Sequence, residues 1–244
     1  MRFSKLLAFV LIMVLVGSVA LVACGGDNGT PTNGDNDTAV EDTTTPDNNG
    51  EVTDGGEEET ILTVEGLESN VKLEIGDEIP DLAFKLHPVS WGLESSIWSY
   101  MEENEAEALV LDFWAVWCEP CKEELPHLEV LQRKFADKGL VVLGATIDPY
   151  DAEATIYETL QNDGKMRKSW KALKNYEITS EEEYLVNFDV PVDGEREMAK
   201  ALGVTSIPRT FLITKDHKLY YQHTGFDLGK VAELEEKVAE LLGE

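Results

Sequence analysis

The apolar run Leu109-Val110-Leu111-Asp112-Phe113-Trp114, followed within three residues by Trp117-Cys118-Glu119-Pro120-Cys121-Lys122, constrains the fold more than any other part of the chain. A continuous apolar run of strand length belongs to a strand buried on both faces, the situation of a central strand in a sheet covered by helices. The cysteine pair then falls where that strand turns into a helix. The first turn of a helix has unpaired amide N–H groups and a partial positive charge, so a cysteine there is stabilised as thiolate, the form that attacks disulfides.

The rest of the pattern extends this reading. Residues 61–64 and 71–75 alternate apolar with polar and predict an N-terminal hairpin. A helix is expected from the cysteine pair to about residue 136, with Leu125, Leu128 and Leu131 on one face and Pro126 kinking it. Residues 140–147 predict a second buried strand. Residues 210–214 and 218–223 predict paired strands around Lys215-Asp216-His217. Asp227 is placed to cap a last helix whose stripe is Leu228, Val231, Leu234, Val238, Leu241 and Leu242. Alternating strands and helices predict an α/β fold, a sheet sandwiched by helices.

Three cysteines in 244 residues cannot build a disulfide framework, and two of them form the pair. The third, Cys24, ends a leader made of Arg2, Lys5, an apolar stretch over 6–16 and small residues to Ala23, the arrangement of an export signal. Leu21-Val22-Ala23-Cys24 resembles a bacterial lipobox, which implies removal of residues 1–23 and a lipid on the Cys24 thiol; an ordinary signal or an uncleaved anchor is the plainer alternative. Acyl chains contribute about 0.8 kcal/mol per buried CH₂, so a multiply acylated Cys24 would hold the protein on a membrane. From 24 to 60 the chain is Gly, Asn, Thr, Asp and Glu with no Lys or Arg, a composition that cannot offset the entropy of folding and predicts a tether with a reach of roughly 30 to 36 Å, or an O-glycosylated stalk. Residues 61–244 suit one domain, with an insertion at about 149–188.

The formal net charge is −28, and it runs through both parts of the chain. Nucleic acid and anionic lipid surfaces are repelled, leaving attachment to the lipid anchor alone. The one basic cluster, Lys165, Lys168, Lys171 and Lys174 opposite Met166, Trp170 and Leu173, is a solvated helix face or a docking surface for an acidic partner.

The segment 109–126 resembles the active-site segment of the thioredoxin superfamily. Asp112 lies six residues before the first cysteine, Phe113-Trp114 follow it, Trp117 precedes Cys118, Pro120 sits between the cysteines, and Pro126 comes five residues after Cys121. Ile75-Gly76-Asp77-Glu78-Ile79-Pro80-Asp81 is similar to the opening segment of membrane-anchored thiol-disulfide oxidoreductases of the TlpA and ResA type. Val190-Pro191 through Val204, with Ile207-Pro208-Arg209-Thr210-Phe211-Leu212-Ile213, resembles their later half, and Glu119-Pro120 is the dipeptide that the ResA-like branch carries. The resemblance covers about residues 70–244. It implies a thioredoxin-like fold: a central mixed β-sheet flanked by helices, here with the N-terminal hairpin and a helical insertion.

The site expected from these residues is compact. Cys118, earlier on the helix and more exposed, attacks a disulfide, and Cys121 resolves the mixed intermediate. Asp112, in an otherwise apolar strand, should lose hydration, have a raised pKa and carry protons near the thiols, unless the strand is an edge where it reaches water. The ResA-like branch often lacks an acid there. Glu119 opposes thiolate formation at Cys118 and would tune the pair. Pro208 matches the family position whose peptide bond is cis, so that Ile207 offers its backbone to an extended substrate. Trp117 and Pro120 border the pair and touch substrate, while Trp114 packs beneath it. Trp91, Trp98 and Tyr100 are expected to pack or cap, and His87, His217 and His223 to lie on the surface.

No cofactor is expected, since the two thiols are the redox group. Zinc needs four ligands, and His127 is a weak addition to two cysteines. A peroxiredoxin would carry threonine three residues before its reactive cysteine, where this chain has Ala115; copper carriers of this fold separate their cysteines by three residues rather than two. The expected function is therefore an extracytoplasmic, lipid-anchored protein thiol-disulfide oxidoreductase, acting as a reductase of exported protein disulfides, apocytochrome c among them, and fed by a membrane dithiol donor. A metal-binding or peroxide-reducing protein is the alternative.

Overall fold

The computed structural model describes residues 62–63, 69–87, 94–162, 173 and 186–244. The leader, Cys24, the acidic tether, Trp91 and the lysine cluster at 165–174 lie outside the described residues.

In chain order the elements are β1 (Leu62–Thr63), β2 (Ala83–His87), β3 (Glu94–Ser96), α1 (Ile97–Glu103), β4 (Ala108–Trp114), α2 (Glu119–Phe135), β5 (Leu140–Thr146), α3 (Glu153–Asn162), β6 (Val190–Val192), α4 (Glu197–Ala201), β7 (Ser206–Ile207), β8 (Arg209–Thr214), β9 (Leu219–Thr224) and α5 (Leu228–Leu242). Seven strands form one sheet in the order β3-β2-β6-β5-β4-β8-β9. Every residue of β4 and β5 is buried. Their pairing is parallel, with Asp112 opposite Gly144, because α2 carries the chain back across the sheet between them. The β4–β8 and β8–β9 pairs are antiparallel, so the sheet is mixed. The predicted strands at 140–147, 210–214 and 218–223 are all present.

Helix α2 runs unbroken through Pro126, with Glu119 in its first turn and Arg133 and Lys134 in its last, charges that suit the helix dipole. The following turn ends at Gly139, whose φ of 89° and close approach to Glu107 require glycine. Helix α5 begins where the Asp227 carboxylate accepts the Lys230 amide at 2.8 Å. Leu234 and Val238 are its buried pair. Leu228, placed on the apolar stripe by periodicity, is 66% exposed, since it stands in the first turn beyond the reach of the core.

The hairpin predicted at 61–64 and 71–75 does not form. Residues 71–75 hold no strand: Gly76 turns the chain with a φ of 97°, and the Asp77 carboxylate accepts the Glu74 amide at 2.8 Å, closing the segment locally. The backbone beyond the turn joins the start of β9 instead, with Gly76 N to Leu219 O at 2.8 Å and Ile79 N to His217 O at 2.7 Å. The N-terminal hairpin is β2 with β3. The short β1 pairs antiparallel with β7, Leu62 opposite Ile207. Among the described residues, no helix is long and apolar enough to cross a membrane.

Candidate active site

Cys118 is the N-cap of α2, and its Sγ accepts the amide of Cys121 at 3.3 Å. The two cysteines are joined as a disulfide. Both are fully buried, which corrects the expectation that Cys118 is the exposed member. What separates them is position: Cys118 meets the open amides at the helix start, while Cys121 is already inside the first turn. Trp117, next to Cys118 in the chain, is 47% exposed, whereas Pro120 is buried. Trp114 packs beneath, donating its indole N–H to Gly144 O at 2.9 Å.

Glu119 stands exposed beside the pair, and Lys122 reaches it at 3.0 Å. The ammonium offsets the negative charge that was expected to oppose thiolate formation. The loop before the cysteines is held by Asp148, a buried carboxylate that accepts Val116 N at 2.8 Å and the Thr146 hydroxyl at 2.6 Å. Burial pushes the Asp148 pKa up, and these two donors moderate the shift.

Asp112 is fully buried, with its Oδ1 3.0 Å from the Thr210 hydroxyl. Burial, and then the nearby Glu124, push its pKa well above the ordinary aspartate range. The Thr210 hydroxyl is also 3.0 Å from Glu124 Oε1, and His223 Nε2 approaches the same oxygen at 3.0 Å. His223 is thus buried rather than on the surface. The strand register sets it opposite Thr210, and Glu124 of α2 lies against its ring nitrogen. His217 is half-buried and stacks on Trp98 with ring centroids 4.4 Å apart, and Tyr100 is buried with its hydroxyl on Asp189 at 2.7 Å. His127 lies near Phe226, and burial lowers its pKa.

The Ile207–Pro208 peptide bond is cis. Ile207 lies in β7, whose partner is the chain's own Leu62–Thr63.

Sequence reasoning missed Glu124, Thr210, His223, Lys122 and Asp148. Glu124 carried a signal: it stands four and seven residues before Leu128 and Leu131, on the apolar stripe of α2. An unpaired acid on such a stripe is itself informative.

A dithiol pair at a helix N-terminus beside a buried acid, in a mixed sheet flanked by helices, defines a thioredoxin-like thiol-disulfide oxidoreductase. The chain belongs to the AhpC/TSA family, whose profile matches residues 75–222, more than half of its length. It is 28% identical over 154 residues to the thiol-disulfide oxidoreductase ResA of Bacillus thuringiensis subsp. konkukian, covering 63% of this chain and 72% of that one. To ResA of Bacillus subtilis it is 27% identical over 125 residues, covering 51% and 57%. Among solved structures, a thiol:disulfide interchange protein DsbE from Chlorobium tepidum superposes with a TM-score of 0.51 at 25% identity, covering 70% of this chain and 100% of that one.

Proposed function

We propose that this protein is an extracytoplasmic reductase of protein disulfides, working through Cys118 as attacking thiol and Cys121 as resolving thiol. The observation that carries this reading is the disulfide at the head of α2, where Cys118 Sγ takes the Cys121 amide. That amide and the helix dipole stabilise a thiolate at Cys118 once the bond is opened. The name of the ResA relatives supports the same chemistry.

Substrates pair along the Ile207 backbone next to cis Pro208 and touch Trp117 and Pro120. Supporting this is the antiparallel pairing that β7 makes with Leu62–Thr63, which marks it as an edge able to take an extended chain. Residues 1–23 are a leader, Cys24 carries the lipid, 24–60 form the tether, and 61–244 form the redox domain with its insertion at about 149–188. Electrons come from a membrane dithiol donor, and apocytochrome c is one candidate substrate among exported proteins. Against peroxide reduction stands Ala115 at the position that peroxiredoxins give to threonine.

The test is the equilibrium reduction potential of the Cys118/Cys121 pair in thiol–disulfide buffers. A value near or below about −270 mV supports a reductase, one near about −120 mV an oxidant. Absence of any two-electron transition would overturn the assignment.

A further inference from the structure

Three neighbouring strands set Asp112, Thr210 and His223 in one row across the sheet, Asp112 opposite Thr210 and Thr210 opposite His223. Helix α2 lays Glu124 on that row. The groups come from four elements, and Asp112 Oδ2, Glu124 Oε2 and His223 Nδ1 are buried without hydrogen-bond partners. Unpartnered atoms on three titratable side chains are uncommon in a core and call for a reason.

Hydrogen-bond bookkeeping supplies one. The Thr210 hydroxyl has a single proton, yet it sits 3.0 Å from both Asp112 Oδ1 and Glu124 Oε1. It can donate to one carboxyl only, and must accept from the other, which therefore holds a proton. With one proton shared between the two carboxyls, two arrangements satisfy both contacts. Either Asp112 is the acid and Thr210 points at an ionised Glu124, or Glu124 is the acid and Thr210 points at an ionised Asp112. In both, His223 Nε2–H donates to Glu124 Oε1 at 3.0 Å. Were Nε2 instead to accept from Glu124, both carboxyls would have to be protonated for every contact to hold a hydrogen, so a single shared proton requires His223 to donate. The two arrangements differ by one concerted shift through the hydroxyl.

We propose that His223 is a positioning residue for the thiol–disulfide site: its Nε2–H holds the negative charge on Glu124, so the shared proton is stored on Asp112 and passes through Thr210 to Glu124, one helical turn beyond Cys121. The proposal rests on the thiol–disulfide reading above. Glu124 follows Cys121 by three residues, the spacing of neighbours on one helix face. Also facing Glu124 are His127 on α2 and Tyr221 on β9, whose ring lies 5.7 Å from that of His223 and whose hydroxyl is on Glu233 of α5 at 3.0 Å. Burial disfavours charge on Asp112, in keeping with a stored proton there.

The step balances as follows. A donor thiolate attacks Cys118 Sγ, the Sγ–Sγ bond breaks, and Cys121 leaves with the electron pair as thiolate. Cys121 takes a proton from Glu124 while the Asp112 proton moves to Thr210 and the Thr210 proton to Glu124, leaving Asp112 as carboxylate. The donor's second thiolate then attacks the donor sulfur bonded to Cys118 and releases Cys118 as thiolate. Two electrons leave the donor dithiol, which becomes a disulfide, and its two protons go to solvent, from which Asp112 is refilled.

The test uses infrared carboxyl bands and ¹⁵N NMR of the oxidised full chain. Wild type is expected to show a buried protonated-carboxyl band that D112N removes and E124Q keeps, with His223 present as the Nε2–H tautomer or imidazolium. In H223F the band survives addition of D112N, because the proton settles on Glu124, and H223Q, whose amide can donate in the place of Nε2–H, restores the wild-type pattern. Thiol exchange in H223F slows by about tenfold, short of the roughly 10² or more expected when a direct proton carrier is lost. A band that persists in D112N alone, an Nδ1–H tautomer in wild type, or an H223F pattern identical to wild type overturns the proposal; the tautomer and the D112N band need no folded His223 variant. Failure of the redox reading is distinct, appearing as no Cys118/Cys121 transition in any protein, wild type included.

Discussion

Glu124 and Glu129 lie five residues apart on the same helix and both are buried, yet their surroundings differ in kind. Glu129 is surrounded by donors: Arg133 Nε at 2.7 Å, Asn187 N at 2.7 Å and Phe188 N at 3.2 Å. Its charge is compensated, and it ties the chain at Asn187 and Phe188 to the active-site helix. Glu124 has one oxygen shared by a hydroxyl and an imidazole, and its other oxygen has no partner. The first arrangement fixes a carboxylate permanently. The second leaves the proton count of a buried site open to change, which is what chemistry coupled to thiol protonation requires.

The largest effect expected from this contrast is on stability at Glu129. Glu129→Ala leaves two amides and a guanidinium without their acceptor, a loss on the order of 3–5 kcal/mol in urea unfolding. The redox equilibrium of Cys118/Cys121 should change less than about twofold. A comparable shift in that equilibrium would erase the distinction between the two glutamates.

Glu124→Gln should behave the opposite way. Stability changes by less than about 1.5 kcal/mol, since the amide oxygen can still accept from Thr210 and His223. Stopped-flow thiol exchange, by contrast, slows by roughly 100-fold or more through loss of a proton carrier. Unaltered exchange would make Glu124 a structural residue like its neighbour.

The part of the site carried by consecutive residues was legible in sequence and the part assembled across strands was not, and the reason is physical. Cys118, Pro120, Cys121 and Trp117 act through local backbone: a strand end, a helix start and a spacing, all written in consecutive residues. The two buried strands β4 and β5 followed in the same way, from the lengths of apolar runs and the helix between them. The row Asp112–Thr210–His223 exists only through cross-strand register, which brings together residues about a hundred positions apart. Asp112 could be singled out because a charge interrupts an apolar run. Thr210 passed as an ordinary strand residue and His223 as a surface histidine, because the partner against which it is buried, Glu124, lies on a helix about a hundred residues earlier in the chain. The N-terminal hairpin failed because alternation over 71–75 looks like a strand, whereas Gly76 and Asp77 close a turn that no pattern of apolar residues reports.

Asp112 sharpens the comparison through pH. At low pH both folded and unfolded chains hold its proton, and its burial then carries no ionisation cost. As pH rises through the ordinary aspartate range, the unfolded chain releases its proton while the folded one keeps it, so stability falls by about 1.4 kcal/mol per pH unit until the folded group also ionises. Asp112→Asn removes this contribution. The variant should match wild type in stability near pH 3 and exceed it at pH 7 to 8, by urea midpoints; equal gains at both ends would mean that packing, and not charge, is what changed.

The smallest effect concerns the edge at Ile207, the proposed place of substrate pairing. Leu62 and Thr63 occupy that edge by backbone pairing over two residues, so a substrate strand must displace them. Proline lacks the N–H and resists the ladder, so the double variant Leu62→Pro, Thr63→Pro weakens this pairing without touching the redox pair. For an extended peptide disulfide, KM should fall about two- to fivefold with kcat unchanged, because the competing strand acts before chemistry and on no reacting atom. For a small disulfide with no backbone to pair, neither constant should move. A fall in KM for both substrates would mean that the segment screens the cysteines sterically, and an unchanged KM for the peptide would move substrate pairing away from Ile207 altogether.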